Sequence, residues 1–501
     1  MFESEKRLHD MNSNVSIVKS YVYTYPKWEK SFFRPSELFP EYIWGSNDIS
    51  SEKNDVYYNV RESLHLLGLD SDHWNTEDWN PLRNFIKEKG TILIKPNLVM
   101  DFNRNPEGGE ECLYTQASVV APVIDYVIKA AGKDCKIIVG DAPMQECKWD
   151  NLIKASGYYQ MIQWYKDKGI NIKLVDFREL TSENKHGVKI QKINHNAIGK
   201  VIDLGKESEF AGLNKTQYES FRVTNYDPSI MKKHHNEDVN EYYISQYVLD
   251  ADLIINMPKP KSHRKAGATI SLKNFVGINV RKEFLPHHSM ASVEEGGDEY
   301  LQKNVVHHLR SCIYDIKNRE TAKNKYKRAW ILGQMARVCS LLLRISNGEI
   351  YSEGSWYGNH TISRTISDLN KIVIYADRNG KLQDKPVRKM LIMADMVVSG
   401  EKEGPVCPSP KNIGIIAAGT NGVCFDETIA GLMGFDYKKI PSIVNARHVH
   451  GKYKLVKEDE FPVIKSNIDK YNEKKPSEVF SIINSLQFIP TSGWKGHIEL
   501  G

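Results

Sequence analysis

Short apolar runs alternate with longer helical stretches along much of the chain. Six segments have the length and β-branched content of strands: TILIKPN, CKIIVGDAP, INIKLVDF, DLIINMP, LIMADMVVSG and NIGIIAAGT. The stretches ASVVAPVIDYVIKAAG and WDNLIKASGYYQMIQWYKDKG separate the first three and are predicted to be helices. Because strand–helix–strand alternation favours a parallel sheet covered by helices, the chain is predicted to have an α/β fold with a mostly parallel sheet.

Two segments interrupt this pattern and two others flank it. The interruptions are polar and irregular in one case, and helical and rich in histidine in the other. The predicted organisation is an α/β core (91–180, 249–278 and 390–450), an inserted antiparallel cap (181–248), a helical, His-rich insertion (279–389), an N-terminal extension (1–90) and a C-terminal extension (451–501). The N-terminal extension is expected to pack against the main body.

The most apolar helical run is AWILGQMARVCSLLLRIS, residues 329–346. Arg337 and Arg344 interrupt it, so it is too short and too charged to cross a bilayer. We expect it to be a buried amphipathic helix, and contact with a membrane surface is the alternative. No transmembrane segment is predicted.

Composition narrows the class of protein. With 68 basic and 63 acidic residues among 501, the net charge is only +5, which argues against a general nucleic-acid binder. The seven cysteines include no C-x-x-C pair, which is typical of reduced thiols in a cytoplasmic protein and gives no ligands for an iron–sulfur cluster. The first residues, MFESEKRLHDMNSN, lack the apolar core of a signal peptide. None of these features predicts an oligomeric state.

Polar residues follow five of the predicted strands. The junctions are Lys95-Pro96-Asn97, Gly140-Asp141, Asn256-Met257-Pro258-Lys259, Gly400-Glu401 and Gly419-Thr420-Asn421-Gly422. In an open parallel sheet, ligands bind outside the carboxyl ends of the strands. We therefore expect these junctions to meet in one cleft.

The segment ADLIINMPKPKSHRKAGATISLKNFVGI follows a strand with a dense group of basic residues. Lys259, Lys261 and Lys273 cannot be buried without acidic partners, water or an anionic ligand. Asp141 and Glu401 are the candidate partners within the chain. A small anionic metabolite is the predicted ligand, and a solvated basic loop is the alternative. The segment lacks the spacing of a phosphate-binding P-loop, and no G-x-G-x-x-G follows a strand.

Several motifs in a fixed order resemble the domain-of-unknown-function 362 family over roughly residues 91–450. They are ILIKPNLV, VGDAP, NMPKPKSHRKAGATISLKNFVGI, TISRTISDLNKIVIYAD and GPVCPSPKNIGIIAAGTNGVCFDETIAGLMGFD. The segments RKEFLPHH and GGDEY resemble longer members, which often occur beside polysaccharide and secondary-metabolite genes. The resemblance implies a shared site formed by Lys95, Asn97, Asp141, Lys259, Lys261, His263, Lys273, Asn274 and Asp426. The ferredoxin-like module of other members does not carry over, because its cysteines are missing.

Chemistry suggests roles for these residues. Neighbouring lysines are expected to lower the pKa of His263 and leave a neutral imidazole that acts as a general base, unless the ring is structural. Asp141, Lys95 and Asp426 are the further catalytic candidates, and Asp426 has helix N-terminal charge as its alternative role. The substrate-binding candidates are Asn97, Lys259, Lys261, Lys273, Asn274 and Glu401.

A metal site is a separate hypothesis. His287, His288 and Asp298 are the candidate ligands for a divalent ion, with His263 nearby in the chain. Adjacent histidines point in different directions in an extended chain, so the pair is a weak signal, and a loop in contact with water is the alternative.

Two classes of function fit these features. The first is a cytoplasmic enzyme acting on a phosphorylated sugar, nucleotide sugar or carboxylate by proton or group transfer, as an isomerase, epimerase, lyase or transferase without a redox cofactor. The second is a non-catalytic ligand-binding or assembly protein. Either would belong to a polysaccharide or secondary-metabolite pathway. The mixture of cation, acid and base favours the enzyme, since cations and backbone donors suffice for binding alone.

Overall fold

The computed structural model describes residues 13–185, 188–346 and 351–501. The strands of these residues are β1 (Val15–Lys19), β2 (Thr91–Pro96), β3 (Lys136–Asp141), β4 (Ile172–Asp176), β5 (Leu180–Lys185), β6 (Val188–Ile193), β7 (Gly199–Asp203), β8 (Phe221–Arg222), β9 (Glu241–Ser245), β10 (Leu253–Met257), β11 (Lys261–His263), β12 (Gly267–Thr269), β13 (His288–Ser289), β14 (Lys389–Glu403), β15 (Cys407–Gly419) and β16 (Ile464–Ser466).

The same described residues contain fifteen α-helices. They are α1 (Trp28–Ser31), α2 (Asp55–Leu66), α3 (Ala117–Ala131), α4 (Trp149–Ala155), α5 (Tyr158–Asp167), α6 (Lys215–Ser220), α7 (Pro228–His234), α8 (Gln246–Leu249), α9 (Ser271–Asn274), α10 (Val305–Ala322), α11 (Tyr326–Ser346), α12 (Thr361–Tyr375), α13 (Gly422–Met433), α14 (Pro441–Arg447) and α15 (Pro476–Val479).

One large sheet organises the described residues. Its main path is β16-β1-β15-β14-β10-β2-β3-β4, with β11 and β12 attached beside β14. The strands β14, β10, β2, β3 and β4 are mutually parallel. Alternate residues of each strand enter apolar layers on opposite faces, as Ile92 and Ile94 do on one face and Leu93 on the other. The predicted α/β fold with a mostly parallel sheet is confirmed.

The strand β15 departs from the parallel direction of its neighbours. It pairs antiparallel with β14, because only three residues connect the two strands and so short a turn permits no parallel crossover. Gly419, the last residue of β15, is aligned with Ile392 of β14 and through it with Asn256 of β10 and Lys95 of β2. The junction after β15 therefore begins level with the carboxyl ends of β2 and β10, although the strand arrives there from the opposite direction.

The flanking and inserted segments contribute further strands. Strand β1 pairs with β15 and β16, so the described part of the N-terminal extension packs into the main sheet, and its first twelve residues lie outside the described residues. The cap region contains the antiparallel pairs β5–β6 and β7–β9.

Two helix predictions need correction. The helix predicted from WDNLIKASGYYQMIQWYKDKG is broken into α4 and α5, because Gly157 adopts a positive φ of 80° between them. The run predicted to be a buried helix forms α11, which packs against α10 with one face and leaves Ile331, Val338 and Ile345 exposed. Among the described helices none has the length and apolar content needed to cross a membrane.

Candidate functional site

A cavity of about 480 Å³ opens beside the carboxyl ends of β2 and β3. Its basic lining residues are Arg104, Lys189, Arg264, Lys265, Lys273 and Lys282. Its acidic lining residues are Asp141 and Glu146, and two histidines, His263 and His287, also line it. Positive charge therefore exceeds negative charge around the cavity, and both carboxylates already have cationic partners.

The floor of the site is a buried network built on β2 and β3. Lys95 Nζ lies 2.8 Å from Asp141 Oδ1 and donates to Asn274 Oδ1 at 2.8 Å. Asn97 Nδ2 donates to the same Asn274 oxygen at 3.1 Å. Burial lowers the pKa of Lys95, and the nearby Asp141 carboxylate acts against that shift. This network brings together four of the predicted residues at the edge where the sequence places them.

Gly277 allows the ion pair to form. A Cβ atom at this position would lie 2.0 Å from Asp141 Oδ1 and 2.7 Å from Lys95 Nζ, so a larger residue would displace the pair. The carbonyl of Gly277 also accepts the Ala142 N–H, and Asp141 Oδ2 accepts the Leu98 N–H at 2.7 Å. The pair thereby joins the loops that follow β2 and β3 to the segment after α9.

The lysines that follow β10 have different partners from those predicted. Lys259 Nζ pairs with Asp395 Oδ2 at 3.0 Å and donates to Tyr25 Oη at 2.6 Å. Lys261 Nζ donates to Asn97 Oδ1 at 2.8 Å and to the Leu113 carbonyl, with no carboxylate at ion-pair distance among the described residues. Burial and the neighbouring Lys259 hold the pKa of Lys261 well below its ordinary value. Neither lysine is among the residues that line the cavity.

Two lysines that do line the cavity have no acidic partner in the described chain. The Lys273 ammonium group makes no hydrogen bond or ion pair with another described residue, and the Lys282 ammonium group donates to the Ala142 carbonyl at 2.8 Å and to the Val276 carbonyl at 3.4 Å. Burial, with the charges of Lys282 and Lys95, lowers the pKa of Lys273 to about 7. Burial also lowers the pKa of Lys282 to about 8, although Asp141 acts in the opposite direction. An anion in the cavity would supply the charge that these ammonium groups lack.

The two histidines of the cavity present different atoms to it. His263 Nδ1 accepts the backbone N–H groups of Lys265 and Ala266, both at 3.1 Å, so the neutral ring carries its proton on Nε2. His287 Nδ1 lies 2.7 Å from the Leu285 carbonyl and must donate to it, which leaves Nε2 with a lone pair. Burial lowers the pKa of His263 far below its ordinary value and that of His287 to about 3. His263 thus offers a donor, and His287 an acceptor.

Asp426 and Glu401, like Lys95, Lys259 and Lys261, lie outside the cavity lining. The Asp426 carboxylate accepts the Ser271 N–H at 2.9 Å and the Leu272 N–H at 3.1 Å, and burial raises its pKa to about 7. It therefore caps the first turn of α9. Glu401 pairs with Lys411 at 3.1 Å and accepts the Ile489 N–H at 3.1 Å. Glu401 is consequently not the partner predicted for the lysines of the segment 251–278, and Asp141 is the partner of Lys95.

The candidate metal ligands are not brought together. His287 lines the large cavity, whereas His288 lies beside Lys265 and faces a separate small pocket. Asp298 is fully buried, and its Oδ2 accepts the Thr361 N–H at 2.9 Å and the Thr361 hydroxyl at 2.6 Å. Across residues 13–185, 188–346 and 351–501 no group of three or more His, Cys, Asp or Glu side chains is arranged to hold a metal ion.

Sequence reasoning missed several residues of the site. Lys282 belongs to the segment RKEFLPHH, where spacing alone does not connect it with β3. Arg104, Lys189 and Glu146 reach the cavity from three separate segments, and Tyr25 and Asp395 enclose Lys259. Lys265 was visible as part of the basic run, and its ammonium group donates to Thr224 Oγ1 at 3.2 Å. The basic run itself was the available signal for Lys265.

Comparison with known proteins agrees with the motifs. The family model with the description "Domain of unknown function (DUF362)" matches residues 92–206 and 206–431. The thylakoid-associated protein sll1697 of Synechocystis sp. is 27% identical over 194 residues, which cover 39% of this chain and 40% of that protein. The aligned part thus spans less than half of that relative. Since the family model matches well over half of the chain, the resemblance is confirmed, and the chain belongs to the DUF362 family.

Proposed function

We propose that the protein is an enzyme that binds a small anionic metabolite in the 480 Å³ cavity and moves a proton or transfers a group there. The metabolite classes that fit are phosphorylated sugars, nucleotide sugars and carboxylates. The observation that carries the proposal is the position of Lys273 and Lys282, two cavity lysines without a carboxylate partner among the described residues. Burying such cations is unfavourable unless an anion joins them.

The donors around the cavity suit an anion with several oxygens. Lys273 and Lys282 supply ammonium groups, and the Nε2–H of His263 supplies a neutral donor. Charge-assisted hydrogen bonds of this kind are roughly twice as strong as neutral ones. We assign Lys95 and Asp141 to positioning, because their ion pair holds together the loops that present these donors.

The same groups support proton transfer. In the ligand-free protein the pKa of Lys273 is about 7, so the group is divided between amine and ammonium at neutral pH. A bound anion would raise this pKa and leave an ammonium group that can donate a proton. The free Nε2 lone pair of His287 is an acceptor, and its basicity would increase when a bound anion offsets the surrounding positive charge. Isomerisation, epimerisation, elimination or group transfer next to a carbonyl or phosphate needs this combination.

The cellular setting is part of the proposal. Seven free cysteines in the described residues fit a reducing compartment, and we propose the cytoplasm. We also propose a step in a polysaccharide or secondary-metabolite pathway, from the gene settings of the longer family members. The relative in Synechocystis is named as thylakoid-associated, so association with a membrane surface is compatible with this location.

Isothermal titration calorimetry with pyrophosphate and citrate as probes tests the binding. We expect Lys273→Met and Lys282→Met each to weaken probe binding about tenfold or more, since a charged hydrogen bond contributes about 1.5–3 kcal/mol. Lys166→Met, at an exposed position of α5, is the matched control and should bind like the wild type. Absence of saturable binding to either probe, or equal affinity in all three variants, would contradict the proposal.

Catalysis needs a separate measurement. A panel of sugar phosphates, nucleotide sugars and carboxylates would be incubated with the protein and followed by NMR for solvent-exchanged protons or new products. We expect His287→Gln to retain probe affinity and to lose turnover, because the amide cannot accept a proton. Tight probe binding without conversion of any compound would favour a non-catalytic binding protein instead.

A further inference from the structure

Helix α11 presents two apolar faces, and the described residues cover only one of them. Ala329, Ala336, Cys339 and Leu343 are buried on the face that packs against α10. A second set recurs every three or four residues and is exposed: Ile331 (54%), Met335 (49%), Val338 (57%), Leu342 (49%) and Ile345 (75%). Trp330 and Leu341 widen this stripe, with 47% and 57% exposure. A contiguous apolar surface of this kind marks an interaction site.

The charged residues of α11 all have one sign. Helix α11 contains Lys327, Arg328, Arg337 and Arg344 and no aspartate or glutamate. At 100° per residue, Arg337 and Arg344 flank one side of the stripe and Arg328 the other. Arg337 and Arg344 have no carboxylate at ion-pair distance among the described residues, whereas Arg328 lies 3.6 Å from Glu320. The stripe is therefore an apolar surface bordered by basic groups.

The chemistry of this surface indicates what binds to it. We propose that α11 lies in the surface of a bilayer that contains anionic phospholipids, with the stripe among the acyl chains and the arginines at the phosphates. An exposed apolar stripe, basic flanks and a tryptophan are the marks of an interfacial helix. The helix does not meet the requirements for crossing a membrane. A second copy of the chain is a poorer occupant, because two such faces would bring basic residues together without acidic partners.

The hairpin formed by α10 and α11 lies beside the large cavity. Both α10 and α11 contact β6, and Lys189 of this strand lines the large cavity. A bilayer bound to α11 would therefore lie close to one wall of that cavity. This inference is independent of the proposed reaction, since it rests on a surface that contributes no residue to the cavity lining.

Vesicle co-sedimentation of the full chain tests the proposal. The probes are vesicles of phosphatidylcholine alone and of phosphatidylcholine with phosphatidylglycerol. We expect binding to the second kind, weakening as salt is added. Val338→Ser/Leu342→Ser should weaken binding at least tenfold, and Arg337→Gln and Arg344→Gln each about fivefold. These side chains are exposed, so thermal melting of every variant should match the wild type.

Ile483→Ser is the matched control, because Ile483 is 86% exposed and lies outside the hairpin. It should bind vesicles like the wild type. Equal binding by the α11 variants, or no preference for anionic vesicles, would overturn the proposal. A wild-type dimer in light scattering that Val338→Ser/Leu342→Ser converts to a monomer would overturn it in favour of self-association.

Discussion

The buried lysines of the site differ in what surrounds each ammonium group. Lys95 has Asp141 and Lys259 has Asp395, so their charges are balanced within the chain. Lys273 and Lys282 face the cavity without such a carboxylate in the described residues. Polar groups kept at a cost in stability are typical of functional sites.

Anion binding should depend on pH through these two lysines. Their pKa values in the ligand-free protein are about 7 and 8, so the binding-competent ammonium forms are lost as the pH rises through this range. Sulfate is a suitable probe, because its own charge is constant there. We expect its affinity to fall by up to tenfold per pH unit for each lysine between about pH 7 and 9, measured by calorimetry.

The charge-preserving variant provides the control for this dependence. Arginine stays protonated throughout the range, so Lys273→Arg should flatten the pH profile if it still binds sulfate. As the pH rises, the ligand-free wild-type protein should become more stable, although its affinity for sulfate falls. Because the unfolded chain binds more protons than the folded one above about pH 7, these lysines make unfolding less favourable as the pH rises. A wild-type affinity that does not vary with pH would contradict the assignment.

The ion pair between Lys95 and Asp141 is expected to contribute mainly to structure. Asp141→Asn would leave the fully buried Lys95 without a carboxylate, and we expect a loss of about 3–5 kcal/mol in the free energy of unfolding. Lys95→Met/Asp141→Asn should recover part of this loss, because the buried charge is then gone. Denaturant unfolding measures both. A double variant less stable than Asp141→Asn would show that Lys95 makes other important contacts.

At the level of elements, carboxylates that looked catalytic or metal-binding stabilise helix ends. Asp426 accepts N–H groups at the start of α9, and Asp298 accepts them at the start of α12. Backbone N–H groups of a first helical turn have no partner within the helix, and a carboxylate there also complements the helix dipole. The sequence around an aspartate therefore does not show whether the residue caps a helix from a distant part of the chain.

Substitution of Asp298 distinguishes a cap from a metal ligand. Asp298→Ala removes the acceptor for Thr361 and for the Ser289 N–H, so we expect a loss of about 2–3 kcal/mol in stability. The affinity for pyrophosphate should change little in protein that remains folded. Elemental analysis of the wild type and the variant is the second measurement. Stoichiometric metal in the wild type that disappears in Asp298→Ala would contradict the capping role.

For the whole molecule, the flanking segments are part of the main sheet. Strand β1 pairs with β15 over five residues, β16 pairs with β1, and Tyr25 contacts the buried pair of Lys259 and Asp395. Removing these segments would expose the apolar edge of β15 and the sheet surface beneath α2.

We therefore expect residues 91–450 alone not to fold cooperatively. Calorimetry or circular dichroism of this fragment should show no sharp thermal transition, whereas the full chain should show one. A fragment 91–450 with a sharp transition and normal pyrophosphate affinity would mean that the flanking strands are dispensable extensions.

Local sequence was sufficient for the elements and for part of the site. Apolar runs of strand length predicted β2, β3, β4 and β10, and the polar residues that follow them converge because parallel strands end at one edge. The motifs also predicted the family. These inferences succeed because hydrophobic period and strand direction are local properties of the chain.

Tertiary structure alone decided which charges meet. Whether a lysine is paired depends on residues far away in sequence, as Tyr25 and Asp395 are for Lys259, and no spacing encodes that distance. The same holds for the tautomers of His263 and His287, which are set by backbone groups that the local fold presents. The direction of β15 and the uncovered face of α11 also emerged only from packing, because an apolar residue in sequence does not specify its neighbour.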